Sequence, residues 1–169
     1  MAGLERVRDG IRLRLDASEV DVVASLAEGL ARRAEGADAG QQDAVLDRLA
    51  PVASRGDAGA DAELRPMLRD ELLGIRVVRL DDLAELLRAE EPSRDVDGFD
   101  RVLDRGTAMQ VVEALNDLRL ALAATIGFDG TLRDELPDDD HRADAVRLMD
   151  ALAWLQGGLI EYVETDPPR

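Results

Sequence analysis

The chain has 169 residues and a formal net charge of −16, and its 46% hydrophobic content includes only 2% aromatics. That length suits one domain whose core is built from Leu, Val, Ile and Ala, a composition that favours packed helices over a sandwich of strands. Cysteine and lysine are both absent, which excludes disulfides, thiolate nucleophiles, zinc–thiolate sites, Schiff-base chemistry and a phosphate-loop lysine.

From the N-terminus, Ile11, Leu13 and Leu15 alternate with Arg12 and Arg14, the period of a strand. Asp9-Gly10 is a turn signal, so residues 1–15 read as a β-hairpin. A three-residue loop, Arg8-Asp9-Gly10, with Gly10 left-handed, would place Val7, Ile11, Leu13 and Leu15 on one face. Arg6, Arg12 and Arg14 would share the other face. Asp16-Ala17-Ser18-Glu19 is a capping box, and the helix it opens runs to about Gly36 with Val20, Val23, Leu26, Ala27 and Leu30 on its apolar side. A short helix carrying Val45, Leu46 and Leu49 stops before Pro51. Residues 52–60 read as a flexible linker inside the domain.

A long helical stretch spans about 61–89, with Leu64, Leu68, Leu72, Ile75, Leu83, Leu86 and Leu87 marking its face. Pro66 suits a first turn, and Gly74 or Asp81-Asp82 could divide the stretch into two helices. Residues 91–98 read as a second flexible loop, and Phe99–Leu103 as a short strand that could join the hairpin. Thr107 to Gln110 resembles a second capping box, opening a helix that Gly127 ends with a left-handed cap. An acidic loop over 128–140 precedes the last helix, about Arg142 to Glu164, with Leu148, Met149, Leu152, Leu155, Leu159 and Val163 on its stripe and Gln156 at the edge. The expected fold is therefore mainly α: a single domain over 1–169, a bundle of about five helices with an N-terminal hairpin and room for one added strand.

Arg119 is the most conspicuous residue. It falls within the stripe Val112, Leu115, Leu122, Ile126, where an apolar residue is expected. Its charge is permanent, so it needs a partner. The expected partner is a carboxylate from the 61–89 stretch or the last helix. With Asn116 and Asp117, Arg119 forms either a polar binding pocket or a buried strut between helices; the strut is the favoured reading. Trp154 could anchor a partner surface or cap the core beside Leu155.

Arg6, Arg8, Arg12 and Arg14 form a basic hairpin face. Residues 1–33 carry six arginines and six acids, so the whole negative charge lies in residues 34–169. A charge of this sign repels phosphates, and four arginines without interleaved aromatics make a thin nucleic-acid footprint; direct nucleic-acid binding is not expected. His141, the only histidine, follows three aspartates and reads as incidental. Asp95–Asp100 misses the spacing of a calcium loop. No metal site, cofactor or catalytic residue is assigned. With no apolar run of about 18 residues and no secretory segment, a cytoplasmic protein without a membrane span is expected.

The segments Glu19-Val20, Ala62 to Leu87, Ala114-Leu115-Asn116-Asp117-Leu118-Arg119-Leu120-Ala121-Leu122, Leu136-Pro137-Asp138-Asp139-Asp140 and Ala153-Trp154-Leu155-Gln156 occur in this order. Together they resemble an actinobacterial family catalogued as domain of unknown function number twenty-seventeen. The resemblance implies a mainly helical cytoplasmic protein without established enzymatic activity. It also implies a gene neighbourhood shared with the Clp protease adaptor and, in some members, stress-responsive transcription regulation with a sigma factor. The cysteine pair by which such members sense oxidation has no counterpart here. The resulting expectation is a non-enzymatic regulator that binds a protein partner, a sigma factor or RNA polymerase, with a homodimer left open. The alternatives are an accessory of the Clp adaptor, or a small-molecule-binding protein or enzyme with a pocket at Arg119.

Overall fold

β2 (Gly10–Asp16) is the central strand of a three-stranded antiparallel sheet, flanked by β1 (Gly3–Val7) and β3 (Gly98–Leu103). The computed structural model describes residues 2–37, 43–50, 58–89, 98–128 and 140–165, with backbone alone for 58–67 and His141. Five helices complete the described residues: α1 (Ala17–Glu35), α2 (Ala44–Leu49), α3 (Ala58–Arg88), α4 (Arg105–Thr125) and α5 (His141–Thr165). The fold is mainly α with an N-terminal hairpin and the added third strand, as the sequence pattern implied.

The hairpin register differs from expectation. Leu4 pairs with Leu13, Arg6 with Ile11 and Val7 with Gly10, so the loop is Arg8-Asp9. Residues opposite one another share a face, which puts Leu4 and Arg6 on the core side and Glu5 among Arg12 and Arg14 on the outer side. Two contacts account for the choice. Glu5 reaches Arg14 at 3.0 Å and Arg12 at 4.0 Å, and Leu4 packs so closely on α5 that a Cβ at Gly158 would lie 2.5 Å from its Cδ1. The expected register would have turned Glu5 toward the core and Leu4 toward water. Gly10 is likewise a strand residue and not a left-handed loop residue: a Cβ there would lie 2.2 Å from the Leu103 carbonyl oxygen. At the other end of the β2–β3 ladder, Gly98 has φ +128° and a Cβ would meet the Leu15 oxygen at 2.3 Å.

The capping box of α1 is present: the Asp16 carboxylate accepts from the Glu19 amide, and the Glu19 side chain accepts from the Asp16 amide. The inner face of α1 is lined by Ala24, Ala27 and Ala31 beside Val23 and Leu30, and α1 packs chiefly on α3. Small side chains there allow the two helices to approach closely. α2 contacts α4, and α5 lies along α4, which thus has helices on several sides. This surrounds α4 with apolar groups and explains why Val111, Ala114, Leu115 and Leu118 are all buried.

α3 is one continuous helix, which neither Gly74 nor Asp81-Asp82 breaks, and Pro66 lies inside it. Residues 58–60, expected in the linker, are its first turn. The remaining linker residues, most of the loop over 91–98, and the acidic loop over 129–139 lie outside the described residues. The buried side of α3 is Leu73, Leu80, Leu83, Ala84 and Leu87, whereas Leu68, Leu72 and Ile75, expected in the core, are exposed. The helix carries two apolar rows about a third of a turn apart, and only one can face α1 and α4.

α4 begins earlier than the apparent box at Thr107. Asp104 is the cap, and its carboxylate accepts from the Thr107 amide at 2.7 Å. An aspartate two residues ahead of Gly106 outcompetes the threonine for the role. At the far end Gly127 has φ +63°, and Phe128 donates to the Ala123 carbonyl at 2.8 Å, the left-handed cap that was expected. The Thr107 amide bond holds the Asp104 carboxyl below its ordinary value of 3.8. A depressed folded pKa gives stability that is complete above the unfolded value and lost as pH falls through the folded one. Asp104→Ala should therefore cost about 1 kcal/mol at neutral pH and Thr107→Ala markedly less. Asp104→Asn should keep the cap but lessen the acid-induced loss. Thermal melts between about pH 2 and 6 check this.

Candidate functional site

The α3–α4 interface contains the one fully buried carboxylate among the described residues. Asp117 is 1% exposed, on the side of α4 that faces α3. One of its oxygens accepts from Arg76 and the other from Arg79 Nη1 at 3.1 Å. Arg79 reaches Glu113 through Nη2 at 2.7 Å. The arginines sit one turn apart on α3 and the acids one turn apart on α4, so four charges close into a neutral network. Burial, and then the neighbouring Arg79, hold the Arg76 guanidinium below the ordinary arginine value, with Glu113 opposing them; it stays charged at neutral pH.

Arg119 has a different partner from the carboxylate expected. Its Nη1 donates to Gln156 Oε1 on α5. Gln156 is itself buried and donates to the Val112 carbonyl at 3.2 Å. The reason is rotation. Residue 117 lies nearly opposite 119 around the helix, so Asp117 points at α3 while Arg119 points at α5. Arg119 and Gln156 are thus brought together, Asp117 acts in a separate network with Arg76 and Arg79, and Asn116 is half-buried between the two directions. Arg119 lines none of the described clefts. Trp154 is 56% exposed on the outer side of α5, so it does not cap the core.

The basic hairpin face is largely neutralised. Arg12 and Arg14 lie 3.4 and 3.5 Å from Asp100 of β3, in addition to their contacts with Glu5. Arg6 lies over the Tyr162 ring at 5.6 Å and donates to the Glu161 carbonyl at 3.2 Å. Arg8 is exposed at the hairpin tip. The four arginines therefore do not form one cationic surface.

The feature the sequence reading missed begins where the ion network ends. A groove of about 530 Å³ runs between α3 and the first half of α4. Leu83, Leu86 and Val111 line it with Ile75 and Val78, and Arg79 and Glu113 mark its junction with the network. Ile75 and Val78 are 52% and 60% exposed, and Leu68 and Leu72 extend the exposed apolar row along α3. Two sequence signals could have found it. The spacing Leu68, Leu72, Ile75, Leu86 is a second helical row beside Leu73, Leu80, Leu87, and Arg76 and Arg79 interrupt an apolar helix just as Arg119 does.

Residues 1–163 match the sequence pattern of a family described as a domain of unknown function, DUF2017. The chain belongs to the DUF2017 family. No curated protein and no solved structure matches it. The Leu-Asn-Asp-Leu-Arg-Leu segment on which the resemblance to DUF2017 rested supplies both buried polar contacts, Asp117 toward α3 and Arg119 toward α5. None of the described helices of this DUF2017 chain is long and apolar enough to cross a membrane.

Removing Asp117 leaves two half-buried guanidinium groups without their shared carboxylate. Asp117→Ala should cost about 3–5 kcal/mol. Arg119→Leu should cost no more than about 2 kcal/mol, since it removes one hydrogen bond to a charged group and adds apolar surface at a half-buried position. Urea titrations of the two variants give both values.

Proposed function

We propose that this protein is a non-enzymatic regulator that acts by protein–protein contact in the cytoplasm, with a sigma factor or RNA polymerase as its partner. The observation that carries the contact reading is the exposed apolar row Leu68, Leu72, Ile75 and Val78, leading into the α3–α4 groove. Contiguous apolar surface with a polar rim is characteristic of a binding face. The transcription machinery is favoured by the resemblance noted above, which implies that some members of the family are stress-responsive transcription regulators. The groove is framed by two helices locked together through Asp117, so it is a preformed surface, and a preformed surface loses little freedom on binding.

The pocket alternative at Arg119 has weaker support, because that guanidinium is engaged by Gln156. Tagged full-length protein should retain sigma factor or polymerase subunits from cytoplasmic extract. Val78→Glu, at a position 60% exposed, should leave the circular dichroism spectrum unchanged and lower that recovery at least about tenfold, as the loss of an interface anchor does. Equal recovery by both proteins, or recovery of no transcription subunit, would refute the proposal.

A further inference from the structure

We infer that the occupant of the α3–α4 groove is a cationic amphipathic helix of a partner protein, an assignment that rests on the protein-contact reading above. Shape supplies the first argument. The groove lies between two helices, and the exposed row Leu68, Leu72 and Ile75 runs into it, with Arg79 and Asp82 preceding Leu86; from Leu68 to Leu86 is about 27 Å along α3 at 1.5 Å per residue. A third helix laid along it would present an apolar row of about five turns, the usual mode of helix-in-groove recognition.

Charge supplies the second argument and decides the kind of helix. Asp82 and Glu85 line the groove, and neither pairs with a cation among the described residues. Glu71 flanks the exposed leucines higher on the same helix and is itself exposed. The basic residues in this stretch are all committed elsewhere: Arg76 and Arg79 to Asp117 and Glu113, and Arg69 to Asp47 at 3.7 Å. The apolar floor therefore carries an uncompensated acidic rim. Lysines or arginines flanking the apolar row of a partner helix would meet it, and acidic ones would be repelled. The same charges argue against a second copy of this chain. A two-fold contact through α3 would set each acidic rim against its twin, between molecules that each carry −16.

The test uses the full chain and three labelled synthetic peptides of about 18 residues, long enough as a helix to span the row. The first has leucines at helical spacing flanked by lysines, the second has glutamates in place of the lysines, and the third scrambles the first at the same charge. Fluorescence anisotropy should show the first peptide binding at least about tenfold more tightly than the other two, and more weakly as salt is raised. Val78→Glu should reduce that binding at least about tenfold. Asp82→Lys with Glu85→Lys should reverse the preference toward the glutamate peptide. Equal binding of the helical and scrambled lysine peptides, or binding indifferent to Val78→Glu, overturns the assignment. So does a dimer in sedimentation equilibrium that Val78→Glu dissolves, which gives the face to a second copy. The two readings separate cleanly. If the lysine peptide fails while Val78→Glu still abolishes recovery of polymerase subunits, the occupant is wrong and the contact reading stands. If the peptide binds in the groove while no sigma factor or polymerase subunit is recovered, the groove assignment stands and the transcription partner falls.

Discussion

The carboxylate of Asp117, held between Arg76 and Arg79, is the constraint on which the arrangement of this bundle rests. A charge at 1% exposure is tolerated only where its oxygens are fully matched. Two guanidinium groups from one helix turn supply that match, and their position sets the rotation of α3 about its axis. Once Arg76 and Arg79 face α4, Leu73, Leu80 and Leu87 are carried inward against α1 and α4. The parallel row Leu68, Leu72 and Ile75 is left outside. The buried row belongs to the side of α3 that packs chiefly on α1, and the ion network fixes α3 against α4 beside it. The network's contribution is to specificity of packing more than to net stability, since the desolvation of the charges offsets much of their attraction.

A second polar contact, Arg119 with Gln156, plays a related part between α4 and α5. Because Asp117 and Arg119 project on opposite sides of α4, a three-residue span of sequence ties that helix to two neighbours at once. The N-terminal sheet is joined to the same framework from the other direction. Leu4 packs on Gly158, and Arg6 covers Tyr162, so β1 is held against α5. The arginines of β2 are matched by Glu5 and Asp100 on the neighbouring strands. Positive charge in the N-terminal region is therefore used inside the fold, and the acidic character of the remaining chain dominates its surface. The groove between α3 and α4 combines that acidity with exposed aliphatic groups.

The helices, the strand that joins the hairpin, the Asp16–Glu19 cap and the Gly127 terminus were legible in the sequence, because each depends on near neighbours in the chain. Periodicity identified α1, α2 and α5 and placed Leu152, Leu155 and Leu159 in the core. The hairpin register was not legible. The alternation of Ile11, Leu13 and Leu15 fixes the inner face of β2 but says nothing about which β1 residues oppose it, and Val7 and Leu4 are both plausible inward residues by hydrophobicity alone. The partner of Arg119 was not legible either. Sequence spacing shows that a cation interrupts a stripe; it does not show whether the atom across the interface belongs to an acid or an amide.

Local sequence thus determined where this chain forms helices and strands, how most of them start and stop, and that α4 carries charge where apolar residues are expected. Those outcomes follow from backbone hydrogen bonding and side-chain spacing within a few residues. Only the tertiary structure decided which face of α3 is buried, that Asp117 and not Arg119 carries the buried ion network, and that Ile75 and Val78 remain exposed beside a groove. Each of these depends on groups tens of residues apart meeting across an interface, and a helix with two apolar rows can bury either until its neighbours in the fold cover one.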